Sequence, residues 1–162
     1  MEISFVRIDD RLIHGQTVCI WSKEYDCNRI IACSNEAANN SLRKNLLLSV
    51  HIPNKKVYVL SIEKALEAYT NPKYNGFKAM FLFTNPKDIL TMVNNGVNIK
   101  SVNVGGMCYK TGKIQITGAI SVSKEDVDAF KQLSEKGVKL EIRQLAKDNK
   151  VNLIDKLEEL KL

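Results

Sequence analysis

A chain of 162 residues with 44% hydrophobic and 26% charged side chains has the make-up of one soluble globular domain, able to bury about 70% of the surface of its unfolded chain. No apolar run nears the ~20 residues of a membrane span and no signal-peptide pattern opens the chain, so it reads as cytoplasmic. The net charge of +6 does not point to nucleic acid: the lysines are scattered, and no basic run interleaved with aromatics offers a stacking platform. An acidic protein partner uses the same charge better.

Ile3-Ser4-Phe5-Val6 predicts a first β-strand, and Gly15 to about Tyr25 a helix with Val18 and Trp21 inward. Arg29 to Cys33 is a continuous apolar run, as in a strand buried on both faces. Ser34-Asn35-Glu36 supplies caps for a helix through Leu42, Leu46 and Leu47 to about Val50, with its leucines expected in the core and a docking role left open for any leucine at the surface. Lys56 to Leu60 is a third strand, and Ser61 caps a helix to Tyr69 that Asn71-Pro72 stops. Lys78 to Phe83 is a fourth strand. Asn85-Pro86 opens a helix that ends at Asn95-Gly96. Lys100 to Val104 leads into Gly105-Gly106-Met107, and two short β-like pieces follow around Ile114–Ile116 and Ala119–Val122. Ser123 and Asp126 predict a capping box for a helix carrying Val127, Phe130 and Leu133 and closed by Gly137. Val138 to Ile142 is a last strand, and Val151 to Leu162 an amphipathic helix.

Strands alternating with helices predict βαβ units: a single three-layer α/β domain over residues 1–162, with a mostly parallel mixed sheet and helices on both faces. Cys19, Cys27, Cys33 and Cys108 lack paired C-x-x-C spacing, and two histidines cannot complete a metal cluster with them. No metal and no cofactor are expected, and most of the thiols read as buried and reduced.

Arg7-Ile8-Asp9-Asp10-Arg11-Leu12-Ile13-His14-Gly15-Gln16 lies where the first strand turns into the first helix. Ligands of open α/β sheets gather at such strand ends. A histidine there can carry a phosphoryl group on an unprotonated ring nitrogen. The backbone N–H groups of Gly15, Gln16 and Thr17, at the positive end of a helix, form a phosphate-binding group, and Asp10 is placed with them, with a structural part also open to it. Arg11 can offer its guanidinium fork to phosphate oxygens. Asp9 or Asp10 can orient Arg11 or the far nitrogen of His14, since direct contact of a carboxylate with phosphate is repulsive. Gly105-Gly106 falls on the same sheet edge, either as a second wall of the site or as a tight turn. His51 has no such companions and reads as a helix-end histidine. Cys19, Cys27, Ser41–Lys44 and Cys108-Tyr109 depart from the family that this motif resembles, departures that can alter partner preference without touching the histidine motif.

The histidine stretch resembles the N-terminal phosphorylation-site motif of the IIB subunits of the mannose/fructose/sorbose/N-acetylgalactosamine family of the bacterial sugar phosphotransferase system. Ile62-Glu63-Lys64-Ala65, Asn85-Pro86-Lys87-Asp88, Asn103–Met107 and Glu125–Phe130 extend the resemblance along nearly the whole chain. It implies a phosphocarrier in which His14, with Arg11 and Asp9 as its catalytic companions, accepts a phosphoryl group from a IIA protein. The group then passes to a sugar of the mannose, fructose, sorbose or N-acetylgalactosamine type held by a IIC/IID membrane permease. Asp9 is favoured over Asp10 because it is the acid two before the arginine of the matching motif. The chain would work at the inner face of the membrane, without a cofactor, and a homodimer is left open. The competing reading is a phosphate- or nucleotide-binding regulatory α/β module. A receiver domain would need an aspartate after the third strand and a lysine after the fifth, where the chain has Leu60-Ser61 and Gly105-Gly106. A dinucleotide site would need a glycine spacing that Gly105–Lys110 lacks.

Overall fold

The structure, a computed structural model, describes residues 1–162 apart from the side chains of residues 16 and 17. Its centre is a seven-stranded sheet of β1 (Glu2–Asp9), β2 (Arg29–Cys33), β3 (Lys56–Leu60), β4 (Lys78–Phe83), β5 (Ser101–Gly106), β8 (Lys139–Ile142) and β9 (Val151–Asn152), ordered β3-β2-β4-β1-β5-β8-β9. All neighbours run parallel except β8 and β9. The expected mostly parallel mixed sheet with helices on both faces is what forms. β1 lies in the middle, between β4 and β5, so the chain leaves its carboxyl end at the centre of one sheet edge.

The side chains of β2 divide between the two faces, as alternation in a strand requires. Ile30 and Ala32 pack with Trp21, Ala37 and Leu47 beneath α1 (Gly15–Glu24), α2 (Asn35–Asn39) and α3 (Ser41–Leu48). Ile31 and Cys33 pack with Ile62, Ile89, Phe130 and Leu157 beneath α4 (Ile62–Thr70), α5 (Pro86–Asn94), α6 (Lys124–Glu135) and α7 (Leu153–Glu159). The expected caps are in place: Ser61 accepts from the Lys64 amide, Asn85 from Asp88, and Ser123 and Asp126 close a capping box. β6 (Ile114–Thr117) and β7 (Ile120–Val122) pair as a separate antiparallel hairpin.

Four expectations need correction. The helix expected from Ser34 to Val50 is two helices, because Asn40 leaves helical geometry and its Oδ1 accepts from the Arg43 amide at 3.0 Å, capping a new start. Of the leucines placed in the core there, only Leu47 is buried; Leu42, Leu46 and Leu48 face outward. The C-terminal helix begins at Leu153, since Val151-Asn152 first pairs with β8 and Asn152 then caps the helix. Of the thiols, Cys27 and Cys33 are buried, Cys19 is half-buried and Cys108 is exposed. His51 is exposed beyond the end of α3. Trp21 and Phe81 are core, as expected.

Candidate functional site

β1 runs three residues further than its apolar pattern suggests, so Arg7 and Asp9 are strand residues, two apart and on one face. Both are fully buried. Beyond Asp9 the chain turns, with the Leu12 amide donating to the Asp9 carbonyl at 2.8 Å. Leu12 takes a left-handed φ of 57°, rare for a branched side chain, and is held there because it and Ile13 are sunk in the core beside Trp21. With those two anchored, His14 stands at the N-cap of α1 in extended conformation, its side chain making no capping bond. Gly15, at φ 24°, starts the helix where a side chain would strain the backbone.

His14 is half-buried. Its Nδ1 lies 3.3 Å from the Leu12 carbonyl oxygen, and its Nε2 is buried with no hydrogen-bond partner among the described residues. Nε2 is open to an incoming group only if the ring turns out of this position.

The Asp9 carboxylate is saturated. Its Oδ1 accepts from Arg11 Nε at 3.1 Å and from the Arg11 amide at 3.3 Å; its Oδ2 accepts from Arg11 Nη2 at 3.2 Å and Arg7 Nη2 at 3.0 Å. No lone pair is left for His14, so of the two partners open to Asp9 it takes Arg11. Two of the Arg11 nitrogens are thereby fixed while the side chain stays 59% exposed. Burial by itself would raise the Asp9 carboxyl, but the Arg11 hydrogen bond and the charges of Arg7, His14 and Arg11 outweigh it and hold the group below the ordinary carboxylate range. Bonding to Asp9 raises Arg11 against the opposing pull of its own slight desolvation.

Arg7 was not among the residues singled out from sequence. Its guanidinium donates to Asp9, to the Asn103 side chain, and to the backbone carbonyls of Arg143 at 3.1 Å and Gln144 at 3.1 Å. Its CZ carbon lies 5.2 Å from the centre of the Trp21 ring, and that of Arg143 lies 5.1 Å from it. Burial lowers the Arg7 pKa, with Asp9 opposing. Asn103 continues the network to Glu141, at 3.2 Å. A sequence signal for Arg7 existed: it alternates with Phe5 and Asp9 in a strand that lies at the centre of a parallel sheet, where charge must be paired.

Gly105 and Gly106 are the last residues of β5 and not a tight turn. A Cβ on Gly105 would fall 2.0 Å from the Arg7 guanidinium, so only glycine leaves room for that side chain. Gly106 borders Asp9, where a Cβ would make ordinary contact at 3.4 Å. The wall they form thus backs the arginine–aspartate pair. Asp10, grouped from sequence with the phosphate-binding residues, is an anchor of the turn: its Oδ2 accepts from the Cys108 amide at 2.6 Å, and its carbonyl accepts from Arg43 Nη2 at 2.8 Å. The Cys108 thiol, although exposed, is pushed up chiefly by its hydrogen bond to Asp10, with Lys110 and Lys113 pulling the other way. The expectation that positions 41–44 and 108–109 stay clear of the motif is therefore overturned by Arg43 and Cys108, which hold Asp10. Gly15 opens α1 as expected, whereas the side chains of Gln16 and Thr17 lie outside the described residues. Among the described residues, no cluster of three metal-ligating side chains occurs.

Residues 3–162 match the family model "PTS system sorbose subfamily IIB component". The chain is 46% identical to the sorbose-specific EIIB component of Klebsiella pneumoniae, over 98% of this chain and 97% of that protein. It is 47% identical to the fructose-specific EIIB component of Bacillus subtilis, over 91% of each. To the mannose-specific EIIAB component of Escherichia coli K12 it is 46% identical over 96% of its own length, spanning 48% of that longer protein. Its fold superposes on the crystal structure of the IIBSor domain of the Klebsiella pneumoniae sorbose permease with a TM-score of 0.96 at 46% identity, covering 98% of both chains.

Two consequences of the buried pair are measurable. Gly105→Ala drives a methyl group into the Arg7 guanidinium, and we expect a loss of about 3 kcal/mol or more in urea unfolding, as for overpacking combined with a disturbed buried ion pair; a loss below about 0.5 kcal/mol would mean that Arg7 moves aside freely. Asp9 has a depressed folded-state pKa, so its stabilisation is present above the unfolded value of ~3.9 and fades as pH falls through the lowered folded value. Asp9→Asn should be about 3 kcal/mol less stable at pH 7, with the gap to wild type closing as pH drops below about 4. Unfolding midpoints taken from pH 7 to pH 2 test this, and a gap that stays constant throughout would remove the pH-dependent role.

Proposed function

Because this chain belongs to the sorbose subfamily of phosphotransferase-system IIB components, proteins that transfer phosphoryl groups in sugar uptake, we propose that His14 is the residue that carries the group. The supporting observation is the constellation at the carboxyl end of the central strand: Asp9 grips Arg11 through Nε and Nη2, three residues before a histidine at a helix N-terminus. A buried carboxylate fixing an exposed guanidinium is an arrangement prepared to receive phosphate oxygens, not to hold a metal.

His14 attacks the phosphorus of a phosphohistidine on a IIA protein, and the donor imidazole leaves with the electron pair of the broken N–P bond. In the second half-reaction a sugar hydroxyl oxygen bonds to the phosphorus, its proton passing to water, and His14 leaves with the electron pair of the broken N–P bond. Such transfers depend on positioning and charge compensation more than on proton traffic. Arg11, with Nη1 directed to no partner among the described residues, is the cation that follows the charge of the moving group. The N-terminal amides of α1 and the helix dipole add to it. Asp9 and Arg7 are positioning residues: each reaches the reaction only through Arg11.

The sugar is of the mannose, fructose, sorbose or N-acetylgalactosamine type, and its permease is a IIC/IID pair, so transfer takes place at the cytoplasmic face of the membrane. No described helix is long and apolar enough to cross that membrane itself.

Intact-mass analysis after incubation with phosphoenolpyruvate, the general phosphotransferase proteins and a mannose-family IIA tests the assignment. Wild type should gain one acid-labile phosphoryl group, about 80 Da, and His14→Ala should gain none while remaining folded; a charged mutant would move the site elsewhere. Arg11→Ala should slow transfer roughly ten- to a hundredfold, the equivalent of one charge-assisted contact. Unchanged kinetics would assign charge compensation to the backbone amides alone.

A further inference from the structure

The histidine turn is held from two sides through one residue. Arg43 reaches the Asp10 carbonyl from α3, on the side of β2, and the Cys108 amide reaches the Asp10 carboxylate from the loop after β5, on the opposite side. Each of these supports also carries apolar side chains that the fold leaves uncovered. On α3, Leu42 and Leu46 are one helical turn apart and 71% and 62% exposed; on the loop, Tyr109 is 65% exposed. None of the three contributes to either core cluster. The charges around them are unbalanced. Arg43 is paired with Glu36 and Arg11 with Asp9, an acid that Arg7 also pairs, and Lys44 and Lys110 add positive charge against Asp10. Lys113, nearby in sequence, is engaged elsewhere, 3.0 Å from Asp126.

We propose that Leu42 and Leu46 on one side and Tyr109 on the other are the two jaws of a docking surface for the phosphoryl donor, a IIA protein whose phosphohistidine is surrounded by an apolar contact patch with an acidic rim. This rests on the reading of His14 as the acceptor. Apolar and aromatic anchors flanking the reacting group give the close contact that an interface core needs. A basic rim raises the encounter rate with a diffusing acidic partner that itself carries phosphate. Because Arg43 and Cys108 hold both jaws to the histidine turn through Asp10, closure of the donor on the jaws bears directly on the loop that carries His14.

The test compares two phosphoryl donors. One is a mannose-family IIA that charges the wild-type chain, itself phosphorylated from phosphoenolpyruvate. The other is phosphoramidate, small enough to need no docking. Full-length Leu42→Ser/Leu46→Ser and Tyr109→Ser proteins should each need about tenfold more IIA for half-maximal transfer, with the phosphoramidate rate equal to wild type. Raising NaCl from 50 to 300 mM should weaken IIA-dependent transfer alone. Equal half-saturation for both variants and wild type overturns the proposal. Loss of the phosphoramidate reaction as well would make these side chains supports of the turn and not a docking surface. Normal charging by IIA with slowed transfer to sugar in permease-containing vesicles would give the jaws to the permease. A His14→Ala chain that still takes phosphate from that IIA would instead remove His14 as acceptor, a failure of the function proposed above and distinct from the other three results.

Discussion

A guanidinium and a carboxylate withdrawn from water, Arg7 and Asp9, set the conditions for everything at this edge of the sheet. A buried ion pair is stable only when its geometry is good and its remaining hydrogen-bonding atoms are satisfied. Here Asp9 uses both oxygens on four donors, and Arg7 adds Asn103 and two backbone carbonyls, so that of its nitrogens only the buried Nε has no partner among the described residues. The demands of that pair reach into three parts of the fold. They require glycine at 105 in β5, an asparagine two residues before it, a loop after β8 that turns carbonyls inward, and an arginine at 11 that completes the aspartate. The last of these makes the site: Arg11 remains exposed at its tip because its other nitrogens are spent on Asp9.

The turn itself is built from opposites. Leu12 and Ile13 drive it into the core, while Asp10, on its outer side, ties it to two separate surface elements. Between them the backbone at His14 is held in place. That anchoring suits the proposed role, in which one residue meets two partners in turn from one fixed place.

Much of this was legible in the sequence. Strands buried on both faces announced themselves as unbroken apolar runs, as at Arg29–Cys33 and Lys78–Phe83, and the caps at Ser61, Asn85 and Ser123 lie where side-chain chemistry puts them. Local patterns fail where a tertiary contact decides. The polar pair Asn39-Asn40 is compatible with a continuing helix, and only the fit of Leu47 under the sheet against a capping bond at Asn40 breaks it in two. Val151-Asn152 has helical neighbours, yet finds a strand edge at β8. At the site, His14, Arg11 and Asp9 were visible because their chemistry is local. Arg7 was not, since a charge that close to apolar residues reads as the end of a strand until its partners, 96 and 136 residues away, are in view.

The chain has a single tryptophan, and both the Arg7 and the Arg143 guanidinium groups lie against its ring, on the helix that His14 begins. An indole so placed feels the field of the two cations through the face of its ring, and one of those cations is bonded to the aspartate that holds Arg11. The protein thus carries a native optical reporter wired into its own site. Its emission is free of contribution from any second tryptophan, so the proposed charging of His14 can be sought in it without a label.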